Sequence, residues 1–301
     1  MDATWECIVV GGGAAGLSAA LVLGRARRRT LVVDAGQQSN RPAHGIGGFL
    51  GSDGLPPAEL SARGRAELAK YPTVEVRDGE VVEGAPGFTL ELADGSRETT
   101  KRVLLSTGME YRRPDLPGLE PLWGDSVFHC PFCHGWEARD GALAVLADPA
   151  ADPALAVHGA KLLRFWSDDV VLLANGAPVE GLEAAGVPVD PRPVAALEAA
   201  GGRLAAVRFA DGERMDRDGL LVRAPLAQRS ALAASLGVDA APPTPIALDG
   251  ITPTPPFGAT NVPGVFVAGD LTGQMPQVAT AVATGSTTAA GVVASLLEEL
   301  A

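Results

Sequence analysis

The sequence predicts an α/β fold built on parallel strands, and three observations predict it. Residues 5–10 (WECIVV) form a short apolar run that leads into Gly11, Gly12 and Gly13, then Ala14, Ala15 and Gly16. In the middle of the chain, ALAVLA (142–147) and DVVLLANG (169–176) repeat the pattern of an apolar run ending in a turn. Near the end, VFVAGD (265–270) repeats it again, ahead of a segment rich in small residues. Short uninterrupted apolar runs are what strands covered on both faces of a parallel sheet require.

Bulk properties narrow the field. A chain of 301 residues suggests about two domains, and 47% hydrophobic with 20% charged residues is enough for full cores. The formal net charge of -12 repels phosphate backbones, so no nucleic-acid partner is expected. No apolar run reaches the length of about 18 residues that a membrane span needs, so no membrane association is expected. The start, MDATWECIVVGGG, carries acids where an export signal needs a basic stretch, so the chain reads as cytoplasmic. Three cysteines in such a chain do not make a structural disulfide framework.

The first apolar run is expected to be a strand, followed by a helix to about Leu23 and a second strand, TLVVD, ending on Asp34. This is Gly-x-Gly-x-x-Gly in the context that gives it meaning: strand before, helix after, acid about 20 residues on. The glycines let the backbone approach a pyrophosphate at the positive end of the helix, and Asp34 can accept hydrogen bonds from ribose hydroxyls. Cys7, inside the first strand, reads as a buried apolar filler. Ser106 to Gly108 (STG), after the run VLL, is a second turn of the same kind. Gly269-Asp270 and a helix from about Gln277 to Leu297 form a third. Contacts so far apart in sequence imply a long dinucleotide held by a domain made of two chain segments.

Residues 130–134 read Cys-Pro-Phe-Cys-His and hold two of the three cysteines. Taken alone the string is a redox pair, half a metal site or a haem anchor. A cysteine at a helix start is favoured as thiolate, and Pro131 suits a first helical position. His134 titrates near neutrality and can carry a thiol proton. No second Cys pair or His-x-x-x-His follows to complete a four-ligand zinc site.

Taken together and in this order, these motifs resemble the low-molecular-weight thioredoxin reductase group of flavoproteins. The resemblance covers nearly the whole chain. It implies two Rossmann-like dinucleotide-binding-type domains, the second inserted into the first, with FAD as cofactor. The expected boundaries are 1–116 and 244–301 for the FAD domain and 117–243 for the insert, which begins and ends in proline-rich stretches. By resemblance, Gly11, Gly13, Ala14, Ala15 and Gly16 hold the FAD pyrophosphate, and Asp34 and Ala35 the ribose. Further cofactor contacts are expected from Asn40, Arg41, His44, Val82, Thr107 and Gly108. Gly269 and Asp270 face the ribityl-pyrophosphate region, and Gln277 and Val278 start a helix aimed at the flavin. In a flavoprotein the Cys pair becomes a dithiol/disulfide couple, and the resemblance implies Cys133 facing the isoalloxazine and Cys130 exchanging with substrate; His134, standing where ordinary thioredoxin reductases carry an acid, is expected as proton carrier.

Besides His134, two features depart from that group. The loop after ALAVLA has no glycine between Ala142 and His158, and it carries Asp148 and Asp152 where a second pyrophosphate would lie. After DVVLL, where an NADPH enzyme needs cationic residues, the chain has Ala174, Asn175 and Gly176. The insert is therefore expected to keep the fold but not the NADPH. With CPFCHGW, this is similar to the FAD-dependent dithiol oxidases that close disulfides in natural products of the gliotoxin and holomycin type. That resemblance implies a small-molecule dithiol substrate, O2 as electron acceptor, H2O2 as product and a homodimer. A disulfide reductase fed by ferredoxin or NADPH, and a non-catalytic redox sensor, are the competing expectations.

Overall fold

The computed structural model describes residues 4–85, 87–182 and 186–297. The chain forms two compact units. One comprises Met1–Arg41, Leu55–Tyr111 and Pro225–Ala301, and the other Pro42–Gly54 and Arg112–Ala224.

The first unit is built on a five-stranded parallel sheet. Cys7–Val10 is central, with Thr30–Asp34 and then Val74–Asp78 on one side, and Val103–Leu105 and then Val265–Val267 on the other. Because side chains alternate across a strand, Ile8 and Val10 enter one core and Cys7 and Val9 the other. That two-sided burial is why these runs are continuously apolar. The helices Ala14–Arg25 and Val278–Leu296 cover one face through small residues, Ala19, Ala20 and Ala289 among them. Their close packing admits no side chain at Gly285, whose Cβ would run into the Ala15 carbonyl. By length and composition Val278–Leu296 could also cross a bilayer, a test that core helices pass as well. A three-stranded antiparallel sheet, Val81–Ala85, Thr89–Leu92 and Arg97–Thr99, covers the other face with Leu90 and Leu92. Each such fully buried leucine is worth about 1.5–3 kcal/mol.

The division differs from the expected 117–243 insert. Tyr111 pairs with Leu226 and Met109 with Gln228 in an antiparallel ladder, so the chain leaves and re-enters the first unit at neighbouring points. Leu232, Ala233, Leu236 and Val238 then enter the first unit's core, Leu236 against Gly84. The proline-rich stretch near 243 is a loop of the first unit, not its edge. Residues 42–54 group with the second unit through tertiary contacts far from them in sequence, which no local pattern announces.

The second unit repeats the plan. Its parallel sheet runs Val189–Asp190, Val170–Leu173, Leu143–Leu146, Gly219–Val222, Val127–Phe128, with the helix Pro153–Leu163 packed on it. An antiparallel sheet of Val194–Ala200, Arg203–Phe209 and Arg214–Asp216 completes it.

Candidate functional sites

In the first unit, Val10, Asp34, Leu105 and Val267 end four parallel strands of one sheet, the edge at which open α/β sheets bind ligands. The expected cradle assembles there. Gly11 has φ +105, which only glycine tolerates readily, and a Cβ on it would strike the Ser106 carbonyl. A Cβ at Gly16 would strike the Gly11 carbonyl, so the helix Ala14–Arg25 seats directly on the loop. The Ser106 hydroxyl lies 3.0 Å from the Val10 carbonyl and 2.9 Å from that of Gly11, tying the two turns together. Gly269 (φ +73) comes within 2.8 Å, measured from an added Cβ, of Ala15. The glycine backbone of the loop, with Gly13 and Ala14 opening a helix whose N-cap makes no side-chain bond, fits a pyrophosphate.

Asp34 is buried beside this loop. Its Oδ1 accepts from Gly36 N at 3.0 Å and Gln38 Nε2 at 3.1 Å, and its Oδ2 from Arg65 Nη2 at 2.5 Å. Burial pushes the carboxyl up, but the hydrogen bonds from Arg65, Gly36 and Gly12 outweigh it and hold the pKa below the ordinary value. A carboxylate has about four lone-pair sites, and Gly12, Gly36, Gln38 and Arg65 already supply four donors, so a ribose hydroxyl would displace one of them. Gly12 fell outside the expected set, yet a Cβ there would sit 2.5 Å from Asp34 Cγ. Only the fold brings that carboxylate onto the loop.

The remaining expected cofactor residues are less uniform. Thr107 and Gly108 (φ +65) follow the strand Val103–Leu105. Asp270 opens a short 3-10 turn, and burial pushes its carboxyl up to about 6. Gln277 caps and Val278 begins the helix Val278–Leu296, with no side-chain cap on its first amides. Arg41 Nη1 donates to the Gly36 carbonyl. Ala35 and Asn40 are exposed, and Val82 is exposed on the strand Val81–Ala85. His44 groups with the second unit instead, its exposed ring 3.6 Å from Asp125 Oδ2.

In the second unit, Cys130 is the N-cap of the short helix Pro131–His134, with Pro131 at its first position as expected. Both cysteines are thiols, and the Cys133 thiol donates to Cys130 Sγ at 2.8 Å. That bond holds the Cys130 pKa below the ordinary thiol value, aided by the Cys133 and Phe132 amides and opposed by burial. Cys130 is thus the favoured thiolate of the pair. Cys7, fully buried, is pushed up to about 12 and is inert.

His134 lies beside the pair but bonds elsewhere. Its Nε2 is 3.1 Å from the Gly124 carbonyl, and Nδ1 is buried. Burial lowers its pKa, against the raising effect of the Gly124 and Cys130 carbonyls, so the ring is neutral near pH 7. The ring stacks on Phe128 at 5.6 Å. Two glycines that sequence reading passed over shape this site. Gly124 (φ +84) turns its carbonyl toward His134 and packs on Pro42. Gly47 lies so close that an added Cβ would be 2.8 Å from the Cys133 carbonyl. Trp136 is exposed and carries the Arg139 guanidinium over its ring at 4.0 Å.

The second unit's own nucleotide turn is occupied by acids. Asp152 caps the helix Pro153–Leu163, its Oδ1 accepting from Ala154 N at 2.9 Å. Asp148 is 3.0 Å from Arg223 Nη1. Asn175, in the left-handed region at φ +51, spends its side-chain oxygen on Val194 N at 2.9 Å. Among the described residues, no group of three or more His, Cys, Asp or Glu side chains could hold a metal ion.

Residues 5–158 match the pyridine nucleotide-disulphide oxidoreductase family. The chain is similar to thioredoxin reductase tcpT of Claviceps purpurea, with 32% identity over 93% of this chain and 90% of that protein. Among solved structures it is similar to HlmI, at 36% identity and TM-score 0.89 over 98% of this chain and 93% of the other. It is also similar to an oxidoreductase from Agrobacterium tumefaciens, at 36% identity and TM-score 0.88 over 98% and 99%.

Proposed function

Because the chain belongs to the pyridine nucleotide-disulphide oxidoreductase family, we propose that it oxidises a small-molecule dithiol to an intramolecular disulfide. It is an FAD-binding, thioredoxin reductase-like oxidoreductase, and the glycine cradle fits that cofactor. Bound FAD supplies an acceptor for one electron pair, which O2 then removes as H2O2. The net reaction is dithiol plus O2 to disulfide plus H2O2.

The chain's own residues do the rest. With Cys130 and Cys133 joined as a disulfide, a substrate thiol gives up its proton and attacks Cys130 Sγ. The Cys130–Cys133 bond breaks, a mixed disulfide forms at Cys130, and Cys133 leaves as thiolate. The second substrate thiol gives its proton to the Cys133 thiolate and attacks its partner sulfur, the sulfur–Cys130 bond breaks, the cyclic disulfide departs, and Cys130 leaves as thiolate beside the Cys133 thiol. The helix-start amides and the neighbouring thiol make Cys130 the better leaving group. His134, held neutral by burial, takes up the substrate proton. The resulting Cys130/Cys133 dithiol delivers the electron pair onward through Cys133 and closes to the disulfide again.

The observation that carries the direction of flow is the acid-filled nucleotide turn of the second unit. The Asp152 carboxylate caps the Ala154 amide at the helix start and opposes the phosphate that NADPH would place there, while Asp148 is paired with Arg223. Electrons then enter through thiols. We read the protein as a cytoplasmic homodimer with O2 and a small dithiol as its reaction partners.

Anaerobic mixing of the holoenzyme with a small dithiol, and separately with NADPH, tests this. Bleaching of the flavin by the dithiol alone, then H2O2 on admitting air, is the expected result. Rapid bleaching by NADPH would establish the reductase reading instead. No turnover in either direction would favour a redox sensor.

A further inference from the structure

We infer that Arg229 is a positioning residue for the cofactor, latching together the two loops that flank the dinucleotide cradle. This rests on FAD binding by the first unit and not on the direction of the thiol chemistry.

Arg229 follows the strand Leu226–Gln228, in which Gln228 lies opposite Met109. Its base is fixed on the other side, where Gln228 N donates to Asp249 Oδ1 at 2.7 Å. From there Nη2 donates to Ser39 Oγ at 2.8 Å and reaches the Met109 carbonyl at 3.4 Å. The Ser39 hydroxyl donates to the same carbonyl. Ser39 belongs to the stretch after Asp34 that runs on to Asn40 and Arg41, and Met109 directly follows Thr107 and Gly108. One guanidinium therefore joins the segments that follow Thr30–Asp34 and Val103–Leu105, the two strands on either side of the central Cys7–Val10, and both segments were expected on other grounds to touch the dinucleotide.

The cost of this arrangement is visible. Arg229 Nε is buried with no hydrogen-bond partner. A buried donor left unsatisfied destabilises the fold, and such a group calls for a reason. Packing alone would be served better by an apolar or shorter side chain. What Arg229 adds is a charge-assisted bond that fixes the spacing of the two loops before the cofactor arrives, the spacing that rigid binding of a long ligand needs.

The test is reconstitution of apoprotein with FAD, followed by flavin fluorescence, in Arg229→Met, Arg229→Lys, Ser39→Ala and the Arg229→Met/Ser39→Ala pair. Arg229→Met and Ser39→Ala are each expected to raise the FAD Kd by about tenfold, equivalent to about 1.4 kcal/mol. The double variant should bind no worse than Arg229→Met alone, because both remove the same latch. Arg229→Lys, which can still reach Ser39, should recover most of the affinity. Melting of the apoproteins should shift far less than melting of the holoproteins. FAD affinity unchanged in both single variants would overturn the inference, and so would full additivity in the double variant. Equal destabilisation of apo and holo forms would make Arg229 an ordinary brace. If Arg229→Met does not fold, Ser39→Ala decides the matter alone. None of these readouts uses turnover, so they stand apart from the dithiol test.

Discussion

Replacing Gly12 by alanine should separate cofactor binding from folding. The added Cβ would lie 2.5 Å from Asp34 Cγ and 2.6 Å from both Asp34 Cβ and Oδ2, where real Cβ atoms keep at least 3.0 Å. Because Asp34 Cβ is itself too close, turning the carboxyl alone does not relieve the clash. Either the loop lifts or Asp34 gives up the 2.5 Å bond to Arg65 and the 3.0 Å bond from Gly36. Overpacking of this kind costs about 1–3 kcal/mol. Weakening a hydrogen bond to a charged group costs about 1.5–3 kcal/mol. The two are alternative routes of relief, not a sum, so the expected penalty on FAD binding is about 1.5–3 kcal/mol, or roughly 10- to 150-fold in Kd. Fluorescence titration of apoprotein measures it directly, with apoprotein melting as the control for folding. In an Asp34→Gly background the Gly12→Ala penalty should largely vanish, since both the colliding carboxyl and the Cβ that carries it are gone. A Gly12→Ala protein with wild-type FAD affinity, or a penalty that persists in full without Asp34, would refute the reasoning.

Acid should destabilise the second unit through His129. Burial and, to a lesser extent, the nearby His134 lower its pKa from 6.5 to about 3. A group whose folded pKa lies below its unfolded value gives its full stabilisation above about pH 6.5 and loses it as pH falls toward 3, on the order of 2–4 kcal/mol over that window. His129→Gln should flatten the pH dependence of denaturant midpoints between pH 6 and 4, and an unchanged slope would remove His129 as the cause. Alkylation of the reduced protein near pH 7, followed by peptide mapping, should label Cys130 fastest and Cys7 not at all while the fold persists. Labelling of Cys133 ahead of Cys130 would reverse the assignment of the two thiols. Gly47→Ala, which presses a Cβ onto the Cys133 carbonyl, should cost about 1–3 kcal/mol and slow thiol–disulfide exchange with a small dithiol, read by stopped-flow absorbance. Wild-type exchange in that variant would mean the 42–54 segment yields freely.

Much of the fold was legible because its signals are local. Buried parallel strands must be apolar at every position, so Cys7–Val10, Thr30–Asp34, Leu143–Leu146, Val170–Leu173 and Val265–Val267 stand out from their neighbours. Glycines that admit backbone to a pyrophosphate, and a proline between two cysteines, likewise need no partner to be recognised. The boundary at Ala224/Pro225 was not legible, because it depends on the pairing of Met109–Tyr111 with Leu226–Gln228 across the whole of Arg112–Ala224. The proline-rich stretch near 243 carried the stronger local signal and marked the wrong place. Gly47 and Gly124 look like ordinary loop glycines until the fold sets one against Cys133 and the other against Pro42.

The sequence by itself determined the chemistry: a dinucleotide cradle at the first strand, a Cys-x-x-Cys-His couple, and acids where a second pyrophosphate would sit. These follow from which atoms residues carry and how few bonds separate them. Only the tertiary structure decided how that chemistry is held. It packed Gly12 under Asp34, turned His134 to the Gly124 carbonyl, gave Cys130 the stabilising amides and thiol, and brought Arg229 to Ser39 across 190 positions of chain. The reason is physical. Burial, orientation and partner choice are set by residues remote in sequence, and they fix which of several possible protonation states and hydrogen bonds each group adopts.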